Sequence, residues 1–225
     1  AGYDYSVAPE KEDDPLNGLS TFDILLISKH ILGVKPLDSP YKLLAADINR
    51  SGSITTIDLI QARKLVLGTI REFPNNRSWR FVSAGHSLSP ENPWHAPIPE
   101  LVNINNLPAG DSLRYDFVAV KVGDVNGNAR AGKLPAVAPR QPAGTWVVHT
   151  GERRLRPGEV YRVELRTGTL PGIQGCQFTL DFDPAALALQ NIDYGLLQEA
   201  QLGRRFLEEG MLTASWHSAD GALEE

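Results

Sequence analysis

Asp47-Ile48-Asn49-Arg50-Ser51-Gly52-Ser53-Ile54-Thr55-Thr56-Ile57-Asp58 is the stretch that decides how the rest of the chain is read. Asp47, Asn49 and Ser51 place side-chain oxygens at positions 1, 3 and 5 of a twelve-residue loop. Gly52 falls at position 6, where the chain must turn sharply and a left-handed backbone is cheapest without a Cβ. Ser53 offers its carbonyl at position 7, Thr55 stands at 9, and Asp58 closes the loop at 12. This is the oxygen layout of an EF-hand-type calcium loop, with Ser at position 5 and Asp in place of Glu at position 12. A simpler reading is an Asn/Ser/Gly turn that caps the next helix through Thr55 or Thr56. The loop needs every one of those positions matched and a cap needs only one or two, so calcium is the expected ligand.

Working outward, Thr56 to Gly68 has the apolar spacing, hydroxyl start and glycine stop of a helix. Thr21 to Gly33 has the same design. Thr21/Thr56, Asp23/Asp58, Lys29/Lys64 and Gly33/Gly68 each stand 35 positions apart, which marks a duplicated loop-helix unit. Between the copies, residues 36 to 46 read as a turn and a short helix delivering Asp47. The first loop is shortened: Asn17-Gly18 stands one residue too close to Asp23 for the second loop's register. Asp14, Asn17, the Gly18 carbonyl and Asp23 are its candidate ligands, with Asp13 competing for the place of Asp14. The alternative is an acidic N-terminal cap that serves the helix dipole alone. Further on, Asp124-Val125-Asn126-Gly127-Asn128 repeats the start of a loop, with Pro135 where an acid would close it. Either Asp124 and Asn126 fold back to complete the first site, or this is an Asn-Gly turn.

Two such loops, each leading into a helix that ends Leu-Gly, resemble a type I dockerin over residues 13 to 70. Lys29-His30-Ile31-Leu32-Gly33, Leu37-Asp38-Ser39-Pro40-Tyr41 and Phe73-Pro74-Asn75-Asn76 are similar to phrases in dockerin-like modules of large secreted Bacteroidetes surface proteins. The resemblance implies a cohesin-like protein partner, in the same or another chain, held near the loop ends and along the helices. The corresponding positions are Thr21, Phe22, Thr56, Ile57, Arg63 and Lys64, with Thr-Phe and Thr-Ile where cellulosomal dockerins carry Ser-Thr.

The remaining segments frame this module. Residues 1 to 12, with Tyr3, Tyr5 and Val7 alternating, read as a strand or linker leading in. Residues 71 to 128 form a β-rich extension with strands at Ser78–Val82 and Tyr115–Val122 and a proline-rich loop between them. Trp79 and Trp94 there are expected to pack, with a sugar-stacking platform as the alternative. Residues 129 to 143, rich in Pro and Ala, read as a linker. Residues 144 to 225 alternate with period two at Thr145–Val148, Val160–Leu165, Gly175–Phe182 and Met211–Trp216, which indicates an antiparallel β-sandwich. The run from Gly172 to Leu187, with Phe182-Asp183-Pro184, resembles a cohesin-like or carbohydrate-binding-module-like sandwich. Such a sandwich needs more chain, so its final strands are expected to be missing or supplied by another segment. The expected fold class is α+β and multidomain.

With 225 residues, 42% of them apolar and 22% charged, the chain is long enough for one large or two ordinary globular domains. A net charge of −5 gives a nucleic-acid partner no electrostatic support. No apolar run approaches the ~20 residues that span a bilayer. The single Cys176 excludes an internal disulfide and reads as a packing residue. The chain starts at Ala1 without a signal-peptide pattern, as a piece of a longer or processed protein would. There is no Gly-x-Ser-x-Gly elbow, His-Glu-x-x-His, phosphate loop or dinucleotide turn, and the five histidines are scattered. The expectation is therefore a non-enzymatic, extracellular or cell-surface calcium-binding segment for assembly or adhesion, with head-to-tail self-assembly as an extension. The alternatives are a non-catalytic targeting or carbohydrate-binding region of a secreted polysaccharide-degrading enzyme, and a passive spacer.

Overall fold

The computed structural model describes residues 2–107, 113–132, 147–168 and 173–218. Ser20 and Thr55 start the two equivalent helices in the same way. α1 (Thr21–Ile31) and α3 (Thr56–Val66) each open on a hydroxyl N-cap, and Asp23 or Asp58, at the third helical position, closes a capping box. Each helix stops at a left-handed glycine, Gly33 or Gly68, both at φ 71°. α2 (Pro40–Ala46) lies between them, capped by Ser39 with Pro40 in its first turn, and it delivers Asp47 to the loop.

The helices do not bury their apolar faces on one another alone. Ile24, Ala62, Leu65 and Val66 pack with Leu19, Ile48, Phe73 and Val122. Ile27, Leu44, Ala45 and Ala46 pack with Val82, Val120 and Val125. Val82 comes from β2 (Trp79–Ser83). Val120 comes from β4 (Phe117–Lys121), which follows β3 (Val102–Leu107) in the chain. β2 and β4 pair antiparallel, Trp79 opposite Lys121 and Ser83 opposite Phe117. The extension thus supplies Phe73, Val82, Val120, Val122 and Val125 to the helices' core, and residues 13 to 128 pack around it together. β1 (Tyr3–Val7) pairs with β3 as a separate two-stranded ribbon. Trp79 is buried and donates its Nε1 proton to Asp13 (2.8 Å), which is the packing role expected of it.

Beyond the linker the fold is a set of open antiparallel sheets. β5 (Val148–His149) pairs with β6 (Arg166–Thr167). β7 (Gly175–Asp181), β8 (Leu202–Gly203) and β9 (Met211–His217) make a sheet in the order β7–β9–β8. Val160–Leu165, expected as a strand, joins no ladder, and Val160 and Val163 point into solvent at 74% and 67% exposure. An alternating run becomes a strand only where a neighbour takes its backbone N–H and C=O groups. Here that neighbour begins at Arg166. Most of the linker (133–143), Thr145, Trp146 and the Leu170-Pro171-Gly172 turn lie outside the described residues. Among the described residues no helix is long and apolar enough to cross a membrane.

Candidate metal centre

The second loop folds around its two acids. Asp47 and Asp58 are both fully buried. Asp47 accepts from Ser51 N (2.8 Å) and Gly52 N (2.9 Å). Asp58 accepts from Asn49 N (3.2 Å) through one oxygen and from Thr55 N (2.8 Å) through the other. Asn49 Oδ1 accepts from Ser51 N (2.9 Å), and Ser51 Oγ donates to the Ser53 carbonyl (3.2 Å). One hydrogen-bond network thus links all six positions predicted as ligands, and Thr55 is also the N-cap of α3. Two left-handed residues make the turn: Gly52 at φ 78°, as expected, and Arg50 at φ 57°. Burial raises the Asp47 pKa, and the neighbouring Asp58 charge raises it further.

The first site is assembled from two distant segments. Asp23, fully buried, accepts through one oxygen from Ser20 N (2.9 Å) and Ser20 Oγ (2.8 Å). Its other oxygen accepts from Val125 N (3.2 Å), Asn126 N (3.3 Å) and Asn126 Nδ2 (2.6 Å). Asp124 in turn accepts from Gly127 N (2.7 Å), Asn128 N (3.2 Å) and Ala129 N (2.8 Å). Four of these bonds recur at equivalent positions in the second loop: Ser20 N and Asn126 N on Asp23 match Thr55 N and Asn49 N on Asp58, and Asn128 N and Ala129 N on Asp124 match Ser51 N and Gly52 N on Asp47. Asp124, Asn126 and Asn128 stand where Asp47, Asn49 and Ser51 stand, and Gly18, Ser20 and Asp23 stand where Ser53, Thr55 and Asp58 stand. Val125 and Ile48 anchor position 2 in the core at 1% and 0% exposure. Gly127 is left-handed (φ 77°) where Arg50 is.

The seam falls between Ala129 and Gly18. A Cβ on Gly18 would sit 2.7 Å from that of Ala129, so only glycine allows the two ends to meet. Asn17 stitches the seam, donating Nδ2 to the Arg130 carbonyl (2.8 Å) and accepting Arg130 N on Oδ1 (3.1 Å). Asp14 spends an oxygen on Leu16 N (2.9 Å) in its own turn. The carboxylate that meets Asp23 is that of Asp124. Burial, together with the Asp124 charge and against the Ser20 hydrogen bonds, pushes the Asp23 pKa up to about 6.

Both donor sets consist of hard oxygens, the set that suits calcium. Each loop gathers two carboxylates. Among the described residues no group of three or more His, Cys, Asp and Glu side chains forms a metal-holding cluster. A carboxylate has about four lone-pair sites, so the hydrogen bonds to Asp47, Asp58 and Asp124 leave oxygen capacity for a cation, whereas those that Asp23 accepts already fill its own. Like charges held together, both buried in the second loop and a buried Asp23 beside the half-buried Asp124 in the first, are the condition that a divalent ion relieves.

Several supporting residues escaped the sequence reading. Asn76 donates Nδ2 to the Asp47 carbonyl (3.0 Å) and pins the loop to the extension. Arg80 lowers the Asp47 pKa by its charge and is itself held by Glu100, through Nε (2.9 Å) and Nη2 (2.6 Å). Glu100 also takes Arg50 Nη2 (3.1 Å). Ser20 and Asn128 could have been found: Ser20 lies 35 residues before Thr55, and Asp124 to Asn128 has the spacing of Asp47 to Ser51. Nothing local to Arg80 or Glu100 marks them.

The six positions implied as partner contacts divide into two groups. Phe22 and Ile57 are 52% and 53% exposed, and Thr56 and Lys64 are exposed with them. Thr21 and Arg63 are covered by the chain's own C-terminal sheet, through bonds to Ser215 and His217. Trp216 is buried at 7% exposure and offers no free ring to a sugar. No protein-family model, curated protein or solved structure matches the chain.

Proposed function

We propose that the chain is a calcium-stabilised, non-enzymatic assembly or adhesion segment of a secreted or cell-surface protein. One observation carries the reading: an oxygen loop and a second loop spliced from residues 124–129 and 18–23 share four backbone-to-carboxylate bonds at equivalent positions. Each holds two carboxylates, and calcium bound there turns their mutual repulsion into folding free energy. In the spliced loop the ion also ties the end of the β extension to the start of α1. Loops of this kind in extracellular modules hold calcium at roughly 10⁻⁴–10⁻³ M, the range found outside cells.

Calorimetric titration of chelator-treated protein is expected to give two calcium ions per chain and a higher melting temperature in calcium than in chelator. No binding heat together with identical melting in both would end this reading. A second reading, glycan targeting, is favoured by a cleft of about 450 Å³ beside the second loop, lined by Arg50, Arg80, Trp94, His95 and Glu100 among others. Glycan-array binding abolished by Trp94→Ala is its expected signature, and an array without signal removes it.

A further inference from the structure

The β7–β9–β8 sheet has two chemically different faces. Along β9, Leu212, Ala214 and Trp216 are buried apolar residues, whereas Thr213, Ser215 and His217 alternate with them. Those three polar residues all meet the helices. Thr213 Oγ1 donates to the Leu67 carbonyl (2.9 Å), Ser215 Oγ shares a hydrogen bond with Thr21 Oγ1 (2.7 Å), and Arg63 Nη2 donates to His217 Nδ1 (2.9 Å). On β7, Gln177 stands opposite Ser215 and accepts from Thr21 Oγ1 (3.1 Å). Just before that strand, Gln174 accepts from Lys29 Nζ (2.7 Å). Arg205 donates to the Thr69 carbonyl (3.1 Å), and Gly203 lies directly on Leu67, where any Cβ would collide.

A strand alternating apolar and hydroxyl residues ordinarily turns the hydroxyls to water. Here that face is removed from water: Ser215 is 0% and Thr21 4% exposed. The contact is made of polar hydrogen bonds, three from the charged donors Lys29, Arg63 and Arg205 and the rest neutral, and water can satisfy the partners of each on separation. A contact of this composition matches the transient class of interface between domains of one chain.

We propose that the α1/α3 face is a docking surface for a polar β-sheet face, and that its occupant is the chain's own C-terminal sheet. The module is closed on itself. Thr21 and Arg63 become available to another chain only when this sheet lifts away. The linker joins the two partners covalently, so the sheet competes at an effective concentration in the millimolar range. Head-to-tail assembly between copies is suppressed below that concentration. The inference rests on the reading of the helices as a partner face and not on calcium.

The test uses the full chain in a Cys176→Ser background, since Cys176 lies on the sheet's other face from Gln177. Thr21→Cys with Ser215→Cys places two thiols where the hydroxyl oxygens are 2.7 Å apart. Mild oxidation at low micromolar protein is expected to yield a disulfide within one chain, in calcium and in chelator alike. In a second pair of proteins, Thr21→Cys alone reacts slowly with a maleimide, and adding Ser215→Arg speeds the reaction by an order of magnitude or more as the docked state opens. Absence of the intrachain disulfide, or disulfide-linked dimers only, overturns the proposal, as do equal maleimide rates. Calcium stoichiometry is read separately, so failure of the metal reading leaves this result interpretable.

Discussion

Asp124 is the residue on which the two-segment loop turns. Its carboxylate organises residues 127 to 129 and faces Asp23, to which its charge contributes an upward pKa shift. Asp124→Asn keeps an oxygen for the backbone N–H groups and removes the charge a cation needs. The expected calcium stoichiometry falls from two to one, whereas Asp14→Asn leaves it at two. At calcium about 100-fold above the dissociation constant, a lost site removes ~2.7 kcal/mol of apparent stability. For a chain of this size that is roughly 5–10 °C of melting temperature. Calorimetry and thermal melts of the two variants check this, and equal stoichiometry in both would remove Asp124 from the site.

At the scale of elements, the duplicated helices provide their own control. Gly33 and Gly68 end α1 and α3 at the same φ of 71°. A Cβ on Gly33 would meet nothing within 4 Å, whereas one on Gly68 would run into the Phe206 ring of the C-terminal region. Gly33→Ala therefore costs only the left-handed penalty, about 1–2 kcal/mol. Gly68→Ala carries that penalty and a further ~1–3 kcal/mol of overpacking. Urea unfolding of both variants measures the difference, and equal losses would mean that Phe206 does not rest on α3. The helices themselves were legible because each of their signals is local: the N-cap, the apolar spacing and the glycine stop. The second loop was legible for the same reason. The first was only half legible, because its candidate ligands lie on two segments more than a hundred residues apart and a linear pattern sees two incomplete loops. Arg80, Glu100 and Asn76 left no mark, since a charge that supports a loop across a fold obeys no spacing rule.

For the whole molecule, the docking of the sheet on the helices was invisible in sequence because its face reads as a solvent face. Thr213, Ser215 and His217 are the residues an alternating strand would expose. The same contact makes stability depend on pH. Arg63 can only donate, so His217 Nδ1 must accept, and the imidazole is neutral with its proton on Nε2. Burial, and then the Arg63 charge, lower the His217 pKa from 6.5 to about 4. Between those values the unfolded chain takes up a proton that the folded chain refuses, so the folded state loses stability as pH falls through that window and the loss levels off below it. Protonation at His217 also sets a second cation against Arg63, which loosens the sheet from α3. His217→Gln keeps a polar side chain and removes the titration. Its melting temperature is expected to fall less steeply than the parent's from pH 6.5 to pH 4, the carboxylates elsewhere being common to both. Parallel curves for the two proteins would show that His217 titrates as it does in water and that the sheet does not hold it against α3.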